Sequence, residues 1–188
     1  MSFLTTNKVS LNSWEDGIQL LKDLKASKSL INHHELVIQT SEKTLDYLPS
    51  SLSHLIDRNL VLIGCSIHGI GKIIKPSEEI RSGKNHEITG KNFLLSLGVS
   101  PKIARFCMIH SLPEEKLYIE ELLVGISDNL WKGSRDLSKE LWLYQKCTAL
   151  LNQKDELLFK KLDDVFEQIV EESFRSYKEY LKVNRVSV

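Results

Sequence analysis

Between Leu60 and Ile67 the chain reads LVLIGCSI, eight residues without a charge and with serine as the one hydroxyl side chain. A helix written this way has no face to turn to water, so other elements must cover it on all sides. The remaining sequence supplies that cover in one form only. Trp14, Ile18, Leu21 and Leu24 recur at helical spacing, and so do Leu157, Leu158, Leu162, Val165, Phe166, Ile169, Val170 and Phe174 near the end. No segment sustains the period-two alternation of a half-buried strand. The expected fold is an all-α bundle forming one domain over residues 1–188, with C-terminal packing helices over about 136–182.

Helix boundaries follow from caps and breakers. Ser13 before Trp14-Glu15-Asp16 reads as an N-cap with acidic residues in the first turn. A second helix is expected from about Leu30 to Leu48, ended by Pro49. His34, Ile38, Ser41, Leu45 and Leu48 share one face of it, and His33, Val37, Thr40 and Thr44 the adjoining stripe. The apolar helix begins near Leu55 to Asp57 and ends at His68, where Gly69 and Gly71 let the chain turn. Residues 73–85 form a polar loop. Further helices are expected from about His86 to Leu97, closed by Gly98, and from Ser100-Pro101 through His110. Others follow from Pro113 through Asp128, from Asp136 to Leu151 and from Glu156 to Leu181.

The 188 residues carry 25 basic and 25 acidic side chains. A zero net charge argues against a dedicated nucleic-acid binder, which needs a basic excess to displace counterions. It leaves room for a small phosphorylated ligand held by a few local cations. Cys65, Cys107 and Cys147 are odd in number, far apart and set in apolar runs, so buried free thiols and a cytoplasmic setting are expected. Neither a signal peptide nor a membrane span is apparent. The amphipathic C-terminal helices suit a monomer or a homodimer.

Against this background the histidines stand out. His33 or His34, His68, His86 and His110 fall at the ends of expected helices or on helices with an apolar face, and Asp128 lies in the apolar run LLVGISDNLW. A buried carboxylate needs a cationic or metal partner. Imidazole nitrogen with carboxylate oxygen is a donor set for iron, manganese, cobalt, nickel or zinc. His54, in a serine-rich turn, reads as surface. Trp131 and Tyr118 are candidates to stack on a base, though both read first as core residues.

The order of these residues resembles the HD-domain superfamily of metal-dependent phosphohydrolases. IHGIGK (Ile67–Lys72) is similar to that family's signature of an apolar residue, His-Asp, any residue, and Gly-Lys. Asp128 matches its closing aspartate, and His86 and His110 match the extra histidines of members that hold two metals. For the early histidine, Val37, Thr40 and Ser41 fall at the family's apolar and small positions when counted from His33, whereas His34 has the cleaner helical stripe. One of the two is expected to serve, with His33 preferred. The resemblance covers roughly residues 20–135. It departs at the doublet, where Gly69 stands in place of the metal-binding aspartate.

The resemblance implies an all-α fold and a divalent metal at His33 (or His34), His68 and Asp128. It also implies release of phosphate from nucleoside mono-, di- or triphosphates, as in the small cobalt-using members. Lys72 would neutralise the transferred phosphoryl group, and Lys75, Arg81 and Lys84 would hold distal phosphates. Glu78 and Glu79 are weaker candidates for a general acid. Gly69 implies one of three cases: an otherwise active enzyme inactivated by a substitution at this one position, a natural variant whose metal uses other ligands such as His86 and His110, or a catalytically dead sensor or interaction module on the same fold.

Overall fold

The computed structural model describes residues 8–77, 85–151 and 156–184. These form an all-α fold, and no strand occurs among them. Helix α1 (Trp14–Asp23) starts where the Asp16 carboxylate accepts hydrogen bonds from the backbone N–H groups of Asn12 (2.8 Å) and Ser13 (3.1 Å). Helix α2 (Lys28–Tyr47) starts earlier than expected because Ser27 is its N-cap, its hydroxyl accepting from Leu30 N–H at 3.0 Å. Both stripes of α2 are buried, His34, Val37, Ile38, Thr40, Ser41 and Thr44 alike.

Helix α3 (Arg58–Ile67) is the all-round apolar segment, capped by Asp57 accepting from Leu60 N–H at 3.0 Å. Each residue from Leu60 to Ile67 is buried. It packs against α1, against α2 and against α6 (Ile119–Leu130). The turn expected at Gly69 and Gly71 forms at His68-Gly69, between α3 and the segment that follows. Gly69 has φ −96°, and the chain continues as a 3₁₀-helix over Ile70–Ile73. Neither glycine is among the residues with positive φ. Their reason is space: a Cβ on Gly71 would lie 1.8 Å from the His86 carbonyl oxygen, at the start of helix α4 (Asn85–Ser96). Gly98, with φ +79°, does end α4 as expected.

Two expected helices are interrupted. After one α-turn over Pro101–Ala104 (α5), with Ser100 as cap, the chain tightens to 3₁₀ over Arg105–Met108, so His110 lies beyond the helix. Arg105 is held from the side by Glu121 (2.7 Å) and the Lys116 carbonyl (2.5 Å), and Phe106 and Cys107 are both drawn into the core. The segment after Pro113 makes only a 3₁₀ turn over Glu114–Lys116. Leu117 is then extended and buried, and α6 begins where Glu121 accepts from Tyr118 N–H at 2.8 Å. Tyr118, expected in the core, is 62% exposed. As the N-cap of α6 it lies outside the buried stripe, under the Arg105 guanidinium.

Helix α7 (Leu137–Leu151) and the long α8 (Glu156–Asn184) complete the bundle, with α8 packing against α2, α6 and α7. Arg135 pins the two together, donating to Glu140 ahead of α7's core face and to Asp163 on α8. Cys65, Cys107 and Cys147 are free and buried. Among the described residues no helix is long and apolar enough to cross a membrane.

Candidate metal centre

The site is built where α3 and α6 both end. His68 is the C-cap of α3, and Asp128 lies in the last turn of α6. Helix C-termini carry partial negative charge, so two of them favour a cation between them. Helix α2 contributes His33 and His34 from its second turn, and the turn after Met108 contributes His110.

Both early histidines turn inward. One ring nitrogen from each of His33, His34 and His68 lies within 4.8 Å of the other two. His33 Nε2 is 3.2 Å from His68 Nε2 and 3.4 Å from Asp128 Oδ1, and His68 Nε2 is 3.8 Å from that oxygen. His110 Nε2 approaches the other carboxylate oxygen at 3.5 Å. His33 and His34 both belong to the group, and His33 is the one of the two that reaches Asp128.

The far sides of the rings fix their tautomers. His34 Nδ1 is 2.7 Å and His68 Nδ1 3.0 Å from the Cys65 carbonyl oxygen. A carbonyl only accepts, so both Nδ1 atoms carry the proton, and the neutral His34 ring is left with a lone pair on Nε2. Metal-binding histidines are oriented in this way, by an N–H donated to a carbonyl or carboxylate behind them. The Cys65 sulfur takes no such part, because burial pushes its thiol up to about 12.

Burial lowers His33 to about 3 and His34 well below the usual imidazole range. The same desolvation lowers His110 to about 4, although a third of its side chain reaches solvent. These rings are neutral at pH 7, as metal ligands must be. Burial alone would raise Asp128, but the neighbouring His68 ring and the Lys132 ammonium, 3.1 Å away, hold its carboxyl well below its ordinary value. Trp131 Nε1–H donates to Asp128 Oδ1 at 3.3 Å, and its ring stands edge-on to His33 with centroids 5.3 Å apart. Trp131 is buried, as expected.

The donor set fits a divalent transition metal. Imidazole nitrogens and an anionic oxygen converge, and one buried nitrogen, His34 Nε2, has no hydrogen-bond partner. His86 is buried and lies outside the group of three nitrogens, its backbone carbonyl packed against Gly71. Lys72 is half-buried, with its charge bearing on His33 and His34, and Lys75 is exposed. Arg81, Lys84, Glu78 and Glu79 lie outside the described residues. His54 is exposed.

Lys132 and the Cys65 carbonyl are the parts that sequence reasoning missed. Lys132 had a signal, its i,i+4 spacing from Asp128. The carbonyl had none, since backbone groups leave no mark in composition. No family model, curated protein or solved structure matches this chain.

Proposed function

We propose that this chain is a metal-dependent phosphohydrolase of the HD-domain type that releases phosphate from nucleotides. The observation that carries the reading is the convergence of His33, His68 and His110 on the Asp128 carboxylate. A divalent ion held by His33, His68 and Asp128 supplies Lewis acidity, neutralising phosphate charge and lowering the pKa of water.

The chain's own side chains do the rest. Lys132 keeps Asp128 anionic, so the carboxylate stays available as a donor and as a hydrogen-bond acceptor. Trp131, 5% exposed, excludes water beside His33, which strengthens each electrostatic interaction there. Lys72 neutralises charge that grows on the transferred phosphoryl oxygens. His110 is the solvent-reaching member of the group and offers a hydrogen-bond donor to an arriving phosphate. Lys75 is exposed and free to reach distal phosphates, a role the sequence also suggests for Arg81 and Lys84.

The test is phosphate release from a panel of nucleoside mono-, di- and triphosphates with added cobalt(II) or manganese(II). The native chain should release phosphate, and Asp128→Asn should lose ~100-fold or more, since even outer-sphere partners of a metal cost about 10–100-fold. No release with any metal would sink the enzyme reading. Gly69, which supplies no carboxylate, favours a second reading in which the same site binds a nucleotide without hydrolysing it. Saturable nucleotide binding with no phosphate release would select that reading.

A further inference from the structure

We propose that His34 is itself a metal ligand, occupying the place of the side chain that Gly69 lacks, so that the centre is nitrogen-rich. The inference rests on the metal-centre reading above and adds to it a ligand and a metal preference.

Three observations meet at this point. First, the backbone does not ask for glycine at position 69: φ −96° and ψ 6° are open to any residue. Space does ask for it. A Cβ there would stand 3.0 Å from His34 Nε2 and 3.2 Å from Cε1, tighter than ordinary side-chain contacts. The imidazole of residue 34 and a side chain at 69 compete for one volume. Second, His34 is fully buried, and its Nε2 has no hydrogen-bond partner. Leaving such a nitrogen unpaired is destabilising, a cost that an apolar residue of similar size would avoid. Third, that nitrogen carries a lone pair, because Nδ1 donates to the Cys65 carbonyl, and the His34 ring brings a nitrogen within 4.8 Å of one on His33 and one on His68. Two metal–nitrogen bonds of about 2.1 Å span about 4 Å, so a small inward adjustment lets all three rings share one ion.

The consequence is selectivity. Exchanging a carboxylate for an imidazole shifts the site from oxygen-rich toward nitrogen-rich. Imidazole suits zinc, nickel, cobalt and iron(II), whereas magnesium, calcium and manganese favour oxygen. The centre should take cobalt(II) or zinc(II) tightly and magnesium weakly. His34 and Gly69 form a swapped pair, each intelligible only with the other.

The test is cobalt(II) binding to the full chain after chelation, followed by calorimetry and by visible absorption. The native chain, His33→Gln, His34→Gln, Gly69→Asp and the double variant His34→Ala/Gly69→Asp are compared. Folding of each is checked by circular dichroism. His34→Gln should weaken cobalt ~100-fold. Gly69→Asp alone should bind no better than the native chain because its side chain meets the ring, while the double variant should recover binding. A wild-type measurement stands independent of variant folding: paramagnetic proton NMR of the cobalt-loaded chain with ¹⁵N-histidine should show a strongly shifted Nδ1–H from His34. If the native chain binds cobalt and His33→Gln abolishes it, while His34→Gln binds within about twofold, His34 is not a ligand and the metal-centre reading survives. An unshifted His34 Nδ1–H would overturn the proposal in the same way. If the native chain binds neither cobalt nor zinc, the metal-centre reading fails, and this proposal with it.

Discussion

Gly71→Ala should destabilise the protein by about 3 kcal/mol, although helix propensity points the other way. The native backbone at Gly71 is in a 3₁₀-helix and has no positive φ, so alanine is conformationally welcome there and gains up to about 1 kcal/mol in a helical setting. Sterics decide the sign. The new Cβ would lie 1.8 Å from His86 O, 2.8 Å from His86 C and 2.8 Å from Gly90 N, all backbone atoms that cannot swing aside as a side chain can. Helix α4 must retreat as a body, opening the interface that seats it on Ile70–Ile73. Overpacking of this kind costs about 1–3 kcal/mol and sometimes more, and a backbone clash belongs at the upper end. In a chain of this size each kcal/mol lowers Tm by roughly 2–4 °C, so a fall of about 6–12 °C is expected. Thermal unfolding followed by circular dichroism measures it directly. A Tm equal to or above that of the native chain would refute the reasoning, because propensity would then have outweighed the contact.

Two further outcomes are expected. The metal-free protein should lose stability as pH falls below about 6.5, because rings held neutral in the fold take up protons once unfolded; for His33 the loss continues down to about 3. Denaturant melts of chelated protein at pH 7.5 and 5 should differ by about 2 kcal/mol for each histidine held neutral, and a flat profile would mean the rings are already charged in the native state. Arg135→Met leaves the nearly buried Glu140 carboxylate without its guanidinium and unties Asp163 on α8. About 2–3 kcal/mol should be lost by urea unfolding, with part recovered by adding Glu140→Gln; a loss under about 0.5 kcal/mol would place the pair among screened surface contacts.

Much of the architecture was legible in the sequence because burial and periodicity are carried by side chains. Leu60–Ile67 announces its own central position, and Ser100-Pro101 and Gly98 mark their boundaries for local steric reasons. The failures come where tertiary contacts overrule local preference. Arg105, gripped by Glu121 and the Lys116 carbonyl, turns an expected helix into a 3₁₀ segment. Leu117 is buried in an extended conformation, which delays α6. In the candidate site, His33, His68, His110 and Asp128 were each readable as residues. His34 was readable as the alternative to His33; that both lie in one group was not, because a helical stripe assigns one face to one neighbour, while α2 faces several. Gly69 was legible as a turn residue and the chain does turn there, but the close approach of the His34 ring to it was not legible.

The Cys65 carbonyl has a consequence for how the site comes into being. One oxygen at the end of α3 orients two rings, one from its own chain neighbourhood and one from α2. His68 finds it locally, three residues on. His34 reaches it only after α2 and α3 have docked, and Asp128 joins only when α6 is in place. The donor atoms come together only in the docked domain, so an ion that bound them would draw on the free energy of the whole domain. Such an ion acts as a thermodynamic latch on global folding, and hydrogen exchange in α2, α3 and α6 should slow together when it binds.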